Sequence, residues 1–227
     1  MKPRQDILLK NIIQEYIKKA QPVGSKVLSQ SMHPTISSAT IRNEMADLIK
    51  KGYLIQPHLS AGRIPTLKGW EYYLENLLNQ TEILINQSPG LIKQKSINED
   101  KKETVKGLIR KMADLTQALA FIAFNENSFY YTGLTNLFNQ PEFESLDLIC
   151  NVSRVVDHLD EILEKIFNSF DQEIKILIGQ KNPFGKDCGT ILVRSASGLI
   201  GILGPLRMDY EKNLNQVKKV CQSINQI

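Results

Sequence analysis

The residues with the most evident chemistry lie in two short stretches near the start of the sequence. Residues 37–50 combine small hydroxyl residues with Arg42 and Asn43, and residues 58–63 form a polar segment that ends at Arg63. In the major groove of DNA, Arg can pair bidentately with guanine and Asn with adenine. Hydroxyl and cationic side chains are common donors to backbone phosphates. We therefore predict DNA contacts from Ser25, Lys26, Ser37, Ser38, Thr40, Arg42, Asn43, Lys50, His58, Ser60 and Arg63.

A helix is predicted to position the first stretch. Ser37 can act as its N-cap, because a side-chain oxygen can accept a hydrogen bond from an otherwise unpaired amide. Apolar residues recur at helical spacing and predict one buried stripe, formed by Ile41, Met45, Leu48 and Ile49. The opposite side carries the short residues Ala39, Thr40, Asn43, Ala46 and Lys50, with Arg42 on the flank. Such a face can enter a major groove. Alternatively, Arg42 could form only a local ion pair with Glu44 or Asp47.

A hairpin is predicted to position the second stretch. Gly52 ends the helix, residues 53–58 form a strand, residues 59–62 a turn and residues 63–66 a return strand. Arg63 is expected to be the cation at the tip, where it would enter a minor groove or contact a phosphate. Other elements complete a predicted winged helix-turn-helix: helices at residues 7–19 and from Ser25 to about Met32, a turn at residues 33–35, and a packing helix at residues 67–79.

The distribution of charge favours the same half of the chain for binding an anionic partner. Residues 1–80 contain 11 Lys and Arg against 6 Asp and Glu, whereas the remainder contains 17 against 18. The whole positive excess therefore lies on the segment with the helix-turn-helix pattern, as a phosphate-binding surface requires. Taken alone, the same excess could also be a solvated basic face.

Several stretches of the sequence resemble a known family. PVGSK (residues 22–26), SSATIRNEM (37–45) and QPHLSAGRIPT (56–66) are similar to the DNA-binding domain of the heat-inducible transcription repressor family, HrcA. GLTNLFNQPEF (133–143) and GPLRMDY (204–210) resemble the C-terminal domain of the same family. The resemblance implies a repressor of heat-shock chaperone genes that binds double-stranded DNA at an inverted-repeat operator as a homodimer. It also implies a GAF-like larger domain and dependence on the GroE chaperonin.

The expected fold class is α+β, in two domains. Residues 1–80 form the winged helix-turn-helix, residues 81–103 a linker and residues 104–227 the GAF-like regulatory or dimerisation domain. In the second domain we expect long helices at residues 104–124 and 159–170, a loop at 133–143, strands at 173–178, 190–194 and 199–203, and a closing helix at 208–224.

The sequence departs from the HrcA family in one respect. Family members usually carry a dimerising segment inserted in the GAF-like domain, and most of it is missing here. The dimer is therefore expected to form through the apolar end of the 104–124 helix, namely Leu119, Phe121, Ile122 and Phe124. The exposed edge of the C-terminal sheet is the second choice, and burial of these residues within the chain is the third possibility.

Other chemistry finds little support in the sequence. GQKNPFGK (179–186) has five residues between its glycines where a phosphate-binding loop has four, and Asp187 stands where that loop needs Ser or Thr. The three His and three Cys show no metal-ligand spacing. We therefore predict no enzyme, cofactor or metal. The dispersed Cys residues and the absence of a long apolar run predict a cytoplasmic protein without a membrane span. Two other functions remain open: an effector-sensing winged-helix regulator of another regulon, and a protein-interaction module without DNA specificity.

Overall fold

The computed structural model describes residues 1–31, 37–85, 98–170 and 174–227. The chain divides into two compact units, Met1–Gln87 and Ser88–Ile227. The predicted turn at residues 33–35, with His33, lies outside the described residues, as do residues 86–97 of the predicted linker. The residues of the predicted linker that the structure describes are mostly helical: one helix ends at Ile85 and the next begins at Glu99.

The described residues of the first unit form four helices and one small hairpin. Its elements are α1 (Pro3–Lys19), α2 (Ser25–Ser31), α3 (Ser38–Lys50), β1 (Leu54–Ile55), β2 (Ile64–Pro65) and α4 (Leu67–Ile85). Proline stands in the first turn of α1, where its fixed φ suits a helix and its missing N–H costs no hydrogen bond. The core is formed by apolar stripes of the helices and includes Leu9, Ile12, Leu28, Met45 and Trp70.

The second unit is built on a five-stranded antiparallel sheet. Its elements are α5 (Glu99–Thr116), β3 (Leu119–Asn125), β4 (Ser128–Thr132), α6 (Leu134–Phe138), α7 (Leu146–Asp157), α8 (Leu159–Ser169), β5 (Ile174–Ile178), β6 (Cys188–Ser195), β7 (Gly198–Pro205) and α9 (Tyr210–Asn225). The strand order is β4-β3-β7-β6-β5. Successive residues of a strand face opposite sides of the sheet. One side packs against α6, α7 and α8, and α5 and α9 pack against the sheet from the other. The α+β class is therefore confirmed.

The predicted helix at residues 104–124 is wrong in its second half. The helix ends at Thr116, Gln117 has a left-handed φ of 53°, and residues 119–125 are the strand β3. β3 lies between β4 and β7 and is covered on both faces, so its apolar run shows no alternation that would mark it as a strand. Leu119, Phe121, Ile122 and Phe124 are buried in the unit itself. These residues cannot form the expected dimer surface, and the third possibility, burial within the chain, is correct.

The predicted loop at residues 133–143 is also wrong, because most of it is helical. α6 and a short 3-10 turn at Pro141–Glu144 occupy it. Arg207 reaches this segment: its Nε donates to Glu142 Oε1 at 2.5 Å and its Nη2 donates to Glu142 Oε2 at 3.1 Å. The two C-terminal stretches that resemble HrcA, residues 133–143 and 204–210, are thus joined by a bidentate ion pair.

Candidate nucleic-acid interface

Helix α3 has the cap and the buried stripe that its sequence predicts. The Ser37 side chain accepts a hydrogen bond from the Thr40 backbone N at 3.2 Å, and the two hydroxyl oxygens lie 2.9 Å apart. Ile41, Met45 and Leu48 are buried, and Ile49 is half-buried. The stripe holds α3 on the unit, so the opposite side of the helix faces solvent.

The solvent-facing side of α3 presents Arg42 and Asn43 next to each other, both exposed. Within the part of the chain that the structure describes, Arg42 makes no ion pair, and Glu44 is engaged by α1 instead. The alternative of a local ion pair from Arg42 to Glu44 or Asp47 is therefore not realised. Arg42 and Asn43 are available to an external partner.

A buried amide that the sequence reasoning missed connects α1 to α3. The Gln5 side chain is only 1% exposed. Its Nε2 donates to Glu44 Oε2 at 2.9 Å, and its Oε1 accepts from Lys51 Nζ at 2.6 Å. Arg4 Nε lies 3.9 Å from the other Glu44 oxygen. The signal was present in the sequence, because Gln5 precedes Leu8 and Ile12 at helical spacing and so belongs to the buried stripe of α1.

The C-terminal end of α3 is also fixed by hydrogen bonds. Lys68 Nζ donates to the Lys51 carbonyl at 2.8 Å, and Thr66 Oγ1 donates to the Gly52 carbonyl at 2.7 Å. Gly52 has a φ of 77°, the left-handed conformation expected after a helix end. α3 therefore has polar contacts with α1, with α4 and with the residue that follows β2.

The hairpin between β1 and β2 ends in a defined turn. The Ala61 N–H donates to the His58 carbonyl at 2.9 Å, and Gln56 Nε2 donates to the carbonyls of Leu59 and Ala61 at 2.8 and 3.0 Å. His58, Leu59 and Ser60 are exposed at this tip. The paired strands are shorter than predicted, with register Leu54↔Pro65 and Ile55↔Ile64.

Arg63 is not at the tip, contrary to the prediction. It forms an antiparallel bridge with Val23, with both N···O distances 2.9 Å, so its backbone lies between the turn and β2 and is paired with the segment before α2. Gly62 packs so closely on Pro22 and Val23 that a Cβ at this position would overlap their backbone. The side chain of Arg63 is half-buried, and its buried Nε has no hydrogen-bond partner among the residues that the structure describes. This contact joins two of the stretches that resemble HrcA, residues 22–26 and 56–66.

The predicted DNA-contact residues differ in their access to solvent. Lys26, Ser37, Arg42, Asn43, Lys50, His58 and Ser60 are exposed, Ser38, Thr40 and Arg63 are half-buried, and Ser25 is buried. Ser25 is the first residue of α2 and is 7% exposed. Ser25 is therefore the predicted DNA-contact residue that is least accessible to solvent.

The described residues offer little for other chemistry. They contain no group of three or more His, Cys, Asp or Glu side chains placed to hold a metal ion. Burial raises the pKa of the Cys188 thiol to about 12, with smaller contributions from Asp187 and Glu142, so this thiol is not a nucleophile at neutral pH. None of the described helices combines the length and apolar character that a membrane span needs.

Comparisons with known proteins point to one family. The family model described as "HrcA protein C terminal domain" matches residues 71–214. A heat-inducible transcription repressor HrcA from Halalkalibacterium halodurans is 26% identical over 332 aligned positions, covering 99% of this chain and 96% of the relative. Another, from Acetivibrio thermocellus, is 33% identical over 197 positions, covering 79% of this chain and 54% of the relative.

A solved structure shares the fold. The crystal structure of a hypothetical protein at 2.2 Å resolution superposes with a TM-score of 0.79 at 17% identity, covering 100% of this chain and 98% of that one. The alignment to the H. halodurans protein is longer than the 227 residues of this chain, so that relative contains residues without a counterpart here. The matches in sequence extend over both units, and the chain belongs to the HrcA family of heat-inducible transcription repressors.

Proposed function

We propose that this protein represses heat-shock chaperone genes by binding an inverted-repeat operator in double-stranded DNA as a homodimer. The observation that carries the proposal is the outer face of α3, where Arg42 and Asn43 are exposed while the helix is tied to its neighbours through its inner face and its end. The family consists of transcription repressors and not of enzymes, in agreement with the expectation of no catalysis.

In this proposal the first unit acts as a winged helix-turn-helix. α3 lies in the major groove, Asn43 contacts base edges, and Thr40 and Arg42 contact bases or flanking phosphates. The hairpin follows as the wing, with His58 and Ser60 at its tip directed to the DNA backbone. Ser25, Lys26, Ser37, Ser38, Lys50 and Arg63 complete the proposed contact set.

The second unit acts as a GAF-like regulatory domain, and the GroE chaperonin supports the folded repressor. The five-stranded antiparallel sheet with helices on both faces supports the GAF-like assignment. When heat diverts the chaperonin to other unfolded proteins, fewer repressor molecules remain folded. A loss of about 1–2 kcal/mol of stability can change such a population several-fold.

Selection of bound sites from random duplexes tests the DNA-binding proposal. The wild-type protein should enrich an inverted repeat, and Asn43→Ala should relax specificity at one position in each half-site. A good bidentate pair discriminates between bases by about 1–3 kcal/mol, so the preference at that position should fall by roughly 5- to 150-fold. Asn215→Ala, an exposed Asn in α9, is the matched control and should leave the motif unchanged. A wild-type protein that enriches no motif would refute the proposal.

A cavity in the second unit favours one alternative, an effector-sensing regulator of another regulon. A space of about 230 Å³ lies between α7 and the segment before β6, and its apolar lining includes Leu148, Val152, Val155 and Phe184. A thermal shift with candidate small metabolites tests this alternative. A ligand that raises Tm for the wild type and not for Val152→Phe, which would reduce the cavity, would support it.

A further inference from the structure

Gln5 is a buried polar side chain that hydrogen-bonds to Glu44 of α3, the helix that is proposed to read DNA, and to Lys51 at the C-cap of that helix. Burying an amide is costly unless both of its ends are paired. Both ends of Gln5 are paired with charged groups, since Nε2 donates to Glu44 and Oε1 accepts from Lys51. Hydrogen bonds to charged partners are roughly twice as strong as neutral ones.

The two partners of Gln5 are well separated along α3. Glu44 and Lys51 are seven residues apart, which is about two helical turns and about 10 Å of rise. One amide of α1 therefore binds two side chains that leave the helix about 10 Å apart on the same side. Holding both side chains constrains the tilt and the rotation of α3 more than holding one of them would.

The apolar contacts of α3 provide a less directional constraint. Ile41, Met45 and Leu48 hold the helix on the core, but the hydrophobic effect is not directional. Hydrogen bonds weaken steeply once their angle departs from linearity. A side chain reaches about 5–6 Å from the helix axis, so a rotation of about 20° would move the end of Asn43 by about 2 Å. That displacement is enough to break a bidentate contact with a base.

We infer that Gln5 is a positioning residue for sequence recognition, because its amide fixes the orientation in which α3 presents Arg42 and Asn43 to DNA. The inference rests on the proposed function of α3. Gln5 does not touch DNA in this role. Its loss therefore reduces discrimination between sequences while it leaves the contacts with phosphates in place.

The test uses the full chain and two duplexes of equal length, the selected operator and an unrelated sequence. Gln5→Met keeps an unbranched side chain of similar length but removes both hydrogen bonds. We expect affinity for the operator to fall about tenfold, the order of one lost base contact, while affinity for the unrelated duplex and the salt slope stay unchanged. The ratio of the two affinities is the decisive measurement, because a purely structural role would not change it.

A pair of exchanges provides a rescue. Gln5→Glu alone sets two carboxylates against each other and should lower the affinity ratio. Adding Glu44→Gln restores a donor and an acceptor between the two positions and keeps an acceptor for Lys51, so the ratio should return toward the wild-type value. Leu9→Val, in the buried stripe of the same helix, is the control for lost stability and should leave the ratio unchanged.

The outcomes separate this inference from the proposed function. A wild-type protein that selects no operator would refute the function of α3 itself. A wild-type protein that selects an operator, together with a Gln5→Met variant of unchanged affinity ratio, would overturn the positioning role. If Gln5→Met does not fold, the exchange pair decides, and failure of Glu44→Gln to restore the ratio would also overturn it.

Discussion

Replacement of Phe121 by Ala separates the observed strand from the helix that the sequence predicts. Phe121 is 0% exposed, its ring centroid lies 5.4 Å from that of Phe184, and its ring fills the space where Gly201 has no side chain. Removing a fully buried Phe side chain costs about 3–5 kcal/mol, because the transfer free energy is lost and a cavity remains. Total stabilities of domains are about 5–15 kcal/mol, so the change should be large.

Urea denaturation followed by far-UV circular dichroism measures this loss. Leu115→Ala is the control, since Leu115 lies in the last turn of α5 and is 43% exposed. We expect the control to change the free energy of unfolding by about 0.5 kcal/mol or less, as is usual for surface positions. The fluorescence of Trp70, the only Trp of the chain, reports on the first unit and identifies its transition. Equally small losses for both variants would refute the placement of Phe121 on a central strand.

Three further predictions concern charge and cysteine chemistry. If Arg63 contacts a phosphate, Arg63→Ala should weaken binding to all DNA sequences alike and reduce the slope of log affinity against log salt concentration by about 1. Fluorescence anisotropy at several salt concentrations measures both effects. Unchanged affinity at every salt concentration would remove Arg63 from the interface. Cys150 is exposed and should react with a thiol reagent in the native protein at pH 8. Cys188, with its pKa raised to about 12 by burial, should react only after unfolding. Equal reaction rates of the two thiols in the native protein would contradict the burial of Cys188. Arg207→Met should lower the free energy of unfolding by about 1–3 kcal/mol, because it leaves Glu142 without its bidentate donor. Urea denaturation measures this loss. A smaller loss would mean that the ion pair is no more stable than the hydrogen bonds that water makes with the two side chains in the unfolded chain.

Sequence reasoning succeeded where a local pattern determines the structure. The buried stripe of α3, its Ser37 cap and the glycine after its end follow from side-chain spacing and backbone sterics within one element. The strands predicted at residues 190–194 and 199–203 lie within β6 and β7, which pair from Cys188↔Pro205 to Ser195↔Gly198. Each of these features depends on residues that are close in sequence.

Sequence reasoning failed where distant residues determine the structure. Residues 119–124 have no alternating pattern of apolar and polar residues because helices cover both faces of β3. These helices are distant in sequence, so their packing is seen only in the folded structure. Arg63 follows a short turn and would be assigned to the tip, but its backbone is paired with Val23, which is 40 residues earlier in the sequence. Gln5 occupies a core position in the helical pattern, but it is a residue type that is usually found at the surface. Its two hydrogen-bond partners lie 39 and 46 residues away in the sequence. Such pairings cannot be read from a single sequence.

The contacts that hold α3 within the first unit bear on how a heat-sensitive repressor of the proposed kind can work. α3 is held on its unit by the apolar stripe of Ile41, Met45 and Leu48, and directional hydrogen bonds, among them those of Gln5, act in addition. Directional bonds keep one geometry until they break, so every folded molecule presents Arg42 and Asn43 in one orientation. In the proposed mechanism, heating then changes how many molecules are folded rather than how each folded molecule reads DNA. Control through the folded population, as proposed for this protein, requires that separation between recognition geometry and stability.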